Sequence, residues 1–235
     1  MKTLIVIPTY NEIENLRSLT ETIFANSPKD LEVLVVDDNS PDGTGKLADV
    51  IASENSQLHV LHREGKLGLG SAYVAGFRWG LENGFEALIE MDADFSHHPK
   101  YLPLMIENLA TNDVVIGSRY VQGGGVLNWG LGRKILSRGG SLYSRIILGA
   151  RIQDFTGGFN GWHRKVLEAI QLESIQSDGY SFQIELKYRA FCKGFRIKEF
   201  PIVFEDRKLG NSKMSKRIVF EALRRVWEFR LRTTP

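Results

Sequence analysis

The chain is nearly devoid of cysteine: Cys192 is the only one in 235 residues. A single thiol closes no intramolecular disulfide, so a covalent framework is excluded; the residue reads as a small buried hydrophobe on a helix in a reducing compartment. Long apolar runs are missing as well. No window reaches the ~18 uninterrupted apolar residues that a membrane helix needs. Charge of one sign is not in excess, because 30 basic and 28 acidic side chains leave a net charge of +2. Bulk charge therefore gives no reason to expect a nucleic-acid partner, and any basic site must be local. The strand-like Thr3–Ile7 segment at the start leads to the expectation that the protein has no signal peptide, and the sequence shows no linker, low-complexity tract or repeat. With 43% hydrophobic and 25% charged residues, the expectation is a soluble, cytosolic single domain with a C-terminal extension.

Two phosphate-binding signatures are also lacking. Gly43-Thr-Gly45-Lys46 is followed by Leu47 and has Ser40 where a P-loop needs glycine. Gly68-Leu-Gly70 has Tyr73 in place of the third glycine of a dinucleotide fingerprint. It reads as a turn entering a helix, or as a backbone loop bordering a nucleotide pocket.

What is present is alternation. Apolar runs at 4–7, 33–36, 58–61, 87–91 and 114–116 are separated by helix-like stretches at 12–25, 44–53, 71–82 and 99–109. Continuous β-branched runs joined by amphipathic helices predict an α/β fold, a Rossmann-like mainly parallel sheet with helices on both faces. Right-handed crossovers bring the strands' C-terminal ends to one edge, where open sheets of this kind bind ligands. After Ser118 the pattern changes: glycine clusters at 123–125 and 139–140 precede a strand over 155–162 entered through Gly157-Gly158. A helix over 182–192, a strand over 197–204 held to an edge by Pro201, and a last helix over 216–232 complete the chain.

Polar clusters fall at the shared edge. Asp92 and Asp94 follow Leu88-Ile-Glu-Met91, and side chains two apart in an extended segment face the same way. Two carboxylates held together call for a cation, and Mg²⁺ or Mn²⁺ with oxygen ligands suits them. The competing reading is an acidic turn in which Asp94 or Ser96 caps the next helix. Asp37 is assigned to a ligand, as acidic residues at such strand ends meet ribose hydroxyls; Asp42, before Gly43, is assigned to the turn. His97 and His98 read as the polar entry to a helix begun by Pro99 rather than as metal ligands.

Taken together, Pro8-Thr-Tyr-Asn-Glu12, Asp37-Asp-Asn-Ser-Pro-Asp-Gly-Thr44, Lys66-Leu-Gly-Leu-Gly70 and Asp92-Ala-Asp-Phe-Ser-His-His-Pro99 closely resemble the dolichol- or polyprenyl-phosphate mannose synthases. These are inverting family 2 glycosyltransferases of the GT-A fold. The resemblance continues through Gly117-Ser-Arg-Tyr120, the Arg133–Arg138 and Asp154–Gly158 segments, and Arg207-Lys-Leu-Gly-Asn-Ser-Lys213. It implies a catalytic domain over 1–214 and an amphipathic basic helix over 215–235. It implies that Pro8, Tyr10, Glu12, Val35 and Asp37 line the nucleotide pocket, and that Asp92, Ala93 and Asp94 hold metal and sugar diphosphate. Arg119, Arg207 and Lys213 would reach the donor, with Asp94, Arg119 and Arg207 catalytic, while Arg133 and Ser137 would receive the lipid phosphate. Some members carry glutamine where this chain has Ser96, so water could complete the metal's shell.

The implied reaction moves mannose from GDP-mannose to polyprenyl or dolichyl phosphate at the cytosolic face of a membrane, with peripheral attachment or a small membrane-anchoring subunit. Arg133 and Ser137, four apart, share one helical face. Residues 133–151 hold five basic and no acidic side chains, interleaved with Ile135, Leu136, Leu142, Ile146 and Ile147, which suits lipid headgroups. Residues 207–232 carry nine basic and two acidic side chains, with Val219, Leu223, Val226 and Trp227 on one stripe. That stripe fits either membrane docking or packing on the core. UDP-glucose is the alternative donor; a nucleotidyltransferase would show a glycine-rich loop where Pro8–Glu12 stands.

Overall fold

The computed structural model describes residues 1–28, 30–175, 177–205 and 216–232, the side chains of 216–222 and 232 excepted. The strands are β1 (Thr3–Thr9), β2 (Leu31–Asp37), β3 (Leu58–His62), β4 (Ala87–Glu90), β5 (Val114–Ser118), β6 (Gly125–Leu127), β7 (Asn160–His163), β8 (Ile197–Pro201) and β9 (Val203–Glu205). The helices are α1 (Ile13–Asn26), α2 (Thr44–Glu54), α3 (Leu69–Glu82), α4 (Leu102–Leu109), α5 (Leu131–Leu148), α6 (Arg164–Ala169), α7 (Gly179–Cys192) and α8 (Lys216–Arg232).

Seven strands form one sheet in the order β3-β2-β1-β4-β7-β5-β8, and β6 pairs with β9 in a second, two-stranded sheet. Strict alternation along β1 builds the two-faced core. Leu4 and Val6 point to the side covered by α3, α7 and α8, while Ile5 and Ile7 point to the side covered by α1, α2 and α4. On α1, buried Leu16, Leu19, Thr20 and Ile23 follow the i, i+3, i+4, i+7 spacing of a single face. Helix α3 lies hard against the sheet. A Cβ on Gly76 would meet Val6 Cγ1 at 2.3 Å, and one on Gly80 would meet Leu88 Cδ2 at 2.5 Å.

One strand departs from expectation. The strand read over 155–162 is confined to β7, Asn160–His163, and runs antiparallel between β4 and β5. The residues before it instead turn their carbonyls to a buried lysine: Lys187 Nζ donates to Asp154 O at 2.9 Å, Phe155 O at 3.3 Å and Gly157 O at 2.7 Å. Since β7 is reversed, its entry rather than its exit lies at the edge where β1, β2, β4 and β5 end. The strand expected over 197–204 also divides. Pro201 ends β8 at the sheet edge, and the chain crosses to β9.

Helix α8 packs into the same core, with Val226 and Phe229 buried, while Trp227 and Leu231 face outward. On α5, Leu131, Ile135, Leu136, Leu142 and Ile146 are exposed, whereas Ile147 packs inward against the core, unlike its expected partners. Among the described residues no helix is long and apolar enough to cross a membrane.

Candidate active site

The acidic triplet follows β4 directly. Asp94 is 9% exposed, and its Oδ1 accepts the Ser96 amide at 3.1 Å, closing a tight turn. Tyr73 on α3 donates its hydroxyl to Asp92 Oδ1 at 3.1 Å. Burial, then the charges of Asp92 and Glu90, push the Tyr73 phenol well above its ordinary range, so it stays a donor. The Asp92 amide donates to His97 Nδ1 at 3.1 Å, which puts the proton of the neutral ring on Nε2. Burial lowers the His97 pKa, so its 3.9 Å approach to the Asp92 carboxylate is a contact of a neutral ring. His97 thus orients the triplet, a role the sequence reading did not give it. His98 caps the short turn at Pro99 by accepting the Lys100 amide at 3.1 Å, the helix-entry role expected of it.

Both carboxylates offer hard oxygen donors at one loop, which fits Mg²⁺ or Mn²⁺ in chemistry. Among the described residues no group of three or more His, Cys, Asp or Glu converges on one point. The remaining ligand positions therefore suit diphosphate oxygens and water, the usual completion for Mg²⁺.

The β1 and β2 ends interlock beside the triplet. Asp37 is 2% exposed; its Oδ1 accepts Thr9 Oγ1 at 3.0 Å and Ser40 Oγ at 2.5 Å, and its Oδ2 accepts the Ser40 amide at 3.1 Å. Asp42 holds the starts of two helices, accepting from the Thr44 amide at 3.0 Å and the Ile13 amide at 3.2 Å, as its assignment to the turn predicts. Val35 is wholly buried in the core beneath α1 and α2. Tyr10 has Lys66 Nζ 4.1 Å above its ring, Glu12 accepts Asn15 Nδ2 at 3.0 Å, and Pro8 lies in β1. The loop after β3 is drawn over this corner: Arg63 donates to Asp38 at 2.8 Å, and the Leu67 amide to Asp38 Oδ2 at 3.1 Å.

On the other side stands Arg119, just past the end of β5. Its Nε and one terminal nitrogen bond Asp154 bidentately at 2.7 Å each, and that nitrogen also reaches Thr156 Oγ1 at 2.9 Å. The guanidinium expected at the donor is thus committed to a buried carboxylate. Burial opposes the Asp154 charge, yet Arg119 and Lys187 hold its pKa down at about 2. Thr156 Oγ1 lies 3.1 Å from Ser141 Oγ and 3.4 Å from Ser137 Oγ, and Ser137 Oγ accepts the Tyr120 hydroxyl at 2.7 Å. Arg133 lies one turn before Ser137, its guanidinium 4.0 Å above the Trp129 ring.

Aromatic packing joins the halves. Trp129 meets Phe204 edge-on at 5.2 Å, Phe204 meets His97 at 5.5 Å, and His97 holds Asp92. Arg133 and Asp92, read separately from the sequence, are the two ends of this wall. Arg207 and Lys213 lie outside the described residues.

The buried polar cluster behind the triplet was missed. Glu90 accepts Trp162 Nε1 at 2.7 Å and Asn160 Nδ2 at 3.4 Å, and bonds Gln183 as well. A carboxylate inside the apolar run Leu88-Ile-Glu-Met91 was the available signal.

Residues 4–171 match the glycosyl transferase family 2 description. The chain belongs to this family. It is 52% identical over 223 residues to an undecaprenyl-phosphate mannosyltransferase of Micrococcus luteus, covering 95% of this chain and 91% of that one. It is 48% identical to a polyprenol monophosphomannose synthase of Mycolicibacterium smegmatis, covering 98% and 88%. Among solved structures, glucosyl-3-phosphoglycerate synthase of Mycobacterium tuberculosis superposes with a TM-score of 0.71 at 20% identity, covering 97% of this chain and 79% of that one; it was crystallised with Mn²⁺, UDP-glucose and phosphoglyceric acid. The same protein with Mg²⁺ and UDP gives a TM-score of 0.69. The GT-A-type α/β fold expected from the sequence is the fold of this family 2 glycosyltransferase.

Proposed function

We propose that the chain transfers mannose from GDP-mannose to the phosphate of a polyprenol, inverting the anomeric carbon and releasing GDP. The observation that carries this is identity of 52% and 48% over nearly the full length of two proteins, one named for mannose transfer to undecaprenyl phosphate and one for synthesis of a polyprenol monophosphomannose. A phosphate oxygen forms the new bond to the anomeric carbon as the bond to the GDP oxygen breaks. The second pKa of a phosphate monoester lies near ~6, so the acceptor is largely ionised at neutral pH. The protein then needs no strong base, and its task is orientation and charge placement.

Asp92 and Asp94 would hold Mg²⁺ or Mn²⁺, which supplies positive charge against the departing diphosphate. Tyr73, the Ser96 amide and His97 hold the triplet in place. Pro8, Tyr10, Glu12, Val35, Asp37 and Ala93 are assigned to the donor nucleotide by resemblance, as are Arg119, Arg207 and Lys213. For Asp37 and Arg119 the assignment means acting from positions already bonded to Thr9 and Asp154. Arg133 and Ser137 receive the lipid phosphate; their shared inward face on α5 supports this, since their neighbours Lys134, Ile135 and Leu136 are exposed.

The exposed apolar residues of α5, with Lys134 and Arg138 among them, suit peripheral contact with the cytosolic face of a membrane, directly or through a small anchoring subunit. The test supplies several radiolabelled nucleotide sugars with Mg²⁺ or Mn²⁺ and a polyprenyl phosphate, then extracts lipid. Label is expected in the lipid from GDP-mannose. Label from UDP-glucose alone would overturn the donor, and label from neither would overturn the reaction.

A further inference from the structure

The loop between β3 and α3 is fastened at both ends. On the β3 side the Arg63 amide donates to Asp37 O at 2.8 Å, and the Arg63 guanidinium bonds Asp38 at 2.8 Å and Ser71 Oγ at 2.7 Å. On the α3 side the Gly70 amide donates to Asp178 Oδ1 at 2.6 Å, at the start of α7. The fit there is close: Gly68 has a φ of +103°, and a Cβ on it would meet Asp178 Oδ2 at 2.5 Å. Lys66 stands between these anchors with its side chain exposed. Among the described residues its ammonium joins no ion pair, and it lies over the Tyr10 ring, 4.1 Å from the centroid. The carboxylates at this corner have other partners: Asp37 bonds Thr9 and Ser40, and Asp38 bonds Arg63 and the Leu67 amide. A cation over an exposed aromatic face is weakly held and readily exchanges that face for a hydrogen-bond acceptor.

The strand order β3-β2-β1-β4 decides which part of a nucleotide Lys66 can meet. The acidic triplet follows β4, Tyr10 follows β1, Asp37 ends β2, and the Lys66 loop follows β3. Three strand spacings of ~4.8 Å set the end of β3 roughly 14 Å across the sheet from the end of β4. In a nucleoside diphosphate held by its diphosphate at the triplet, the base is the part that extends farthest toward β3. A base carries no charge to neutralise, so what a lysine offers it is hydrogen bonds. Guanine presents two acceptors, N7 and O6, on one edge, whereas adenine sets an N6 donor beside its N7.

We infer that Lys66 reads the N7 and O6 edge of the donor's guanine and so sets the base preference of the enzyme. The inference rests on the proposed use of GDP-mannose. The pinned loop fixes where the lysine stem begins, and the stem's flexibility lets the ammonium leave the Tyr10 ring and donate to both acceptors. Without nucleotide, the ring keeps the ammonium at the mouth of the pocket. Base selection thereby comes from the β3 side of the sheet, apart from the metal and the sugar at the end of β4.

The experiment measures, by calorimetry with Mg²⁺, the binding of GDP, of 7-deaza-GDP, in which a C–H replaces N7, and of UDP to the full chain. The wild type should bind 7-deaza-GDP about tenfold more weakly than GDP, the loss of one hydrogen bond to a charged group. Lys66→Met keeps the length of the side chain without its donors, at an exposed position where the exchange leaves the core untouched. It should bind GDP about tenfold more weakly than the wild type and bring the two guanine diphosphates to within about twofold of each other. Lys66→Arg, whose paired N–H groups suit N7 and O6, should restore the preference. A Lys66→Met chain that keeps the wild-type difference overturns the contact, even if its affinity for GDP falls, because the lysine then acts on the diphosphate. A wild type that binds both guanine diphosphates equally also overturns it, and GDP-mannose stands as the donor. A wild type that binds UDP and neither guanine diphosphate overturns the donor and the inference together.

Discussion

The two halves of the site differ in how far along the chain their bonds reach. The donor half, at the ends of β1, β2 and β4, rests on short turns, Asp37 on Ser40, Asp42 on Thr44 and Asp94 on Ser96, to which Thr9, Ile13 and Tyr73 add bonds from farther along the chain. The half beyond β5, which holds Arg119 and the acceptor residue Ser137, depends on distant partners alone. Arg119 is held by Asp154, thirty-five positions away, and Ser137 by Tyr120, seventeen away. Local turns place charge close to the sheet edge with partners a few residues away. Long-range pairs place it in a buried frame whose loss is felt throughout.

The largest expected effect breaks the donor half. Asp94→Ala should reduce lipid-linked label by about three orders of magnitude or more, as loss of transition-state charge stabilisation does. Its melting temperature should stay near that of the wild type, because only a local turn is lost; substantial transfer by this variant removes Asp94 from the chemistry.

The half beyond β5 should answer with stability instead. Asp154→Asn leaves the Arg119 charge buried against a neutral partner, which costs about 3–5 kcal/mol. Denaturant unfolding measures it, and a loss below about 1 kcal/mol would show that the pair does not hold the frame.

Acid probes the same contrast more gently. Asp154, and Asp113 beside Lys165 at 2.6 Å, both have folded pKa values of about 2, depressed below the ordinary range. For Asp154 burial opposes the shift, and Arg119 and Lys187 outweigh it; for Asp113 burial likewise opposes, and Lys165 and Arg196 outweigh it. Groups of depressed folded pKa contribute stability that is full above the unfolded value and lost as pH falls through the folded one. Stability should therefore decline between about pH 4 and pH 2, by about 2 kcal/mol for the fully buried Asp154. Asp154→Asn should flatten that decline.

The smallest effect separates the two phosphates. Arg133→Ala should raise KM for the lipid acceptor by about tenfold, the loss of one charged hydrogen bond at a half-exposed site, with KM for GDP-mannose little changed. A change confined to the donor would remove Arg133 from the acceptor site.

Much of the first half was legible in the chain. Strands 4–7, 33–36, 58–61, 87–91 and 114–116 each lie within two residues of the observed elements, because apolar periodicity reports burial directly. The acidic triplet's place at the sheet edge followed from that periodicity and the handedness of the crossovers. Beyond Ser118 the signal thinned. The reversal of β7 could not be read from Asn160–His163, since a strand's direction leaves no mark on four residues.

What the sequence by itself determined is the residue inventory of the site and the edge on which the donor half gathers. Only the tertiary structure decided the partners. It committed Arg119 to Asp154, set His97 under Asp92, buried Glu90 among Asn160, Trp162 and Gln183, and joined Arg133 to the triplet through Trp129 and Phe204. The physical reason is range. Periodicity and turn chemistry act over a few residues and are written in the local sequence. Pairing a buried charge or closing an aromatic wall depends on which distant segments the packed sheet brings within a few ångströms, and no local pattern records that.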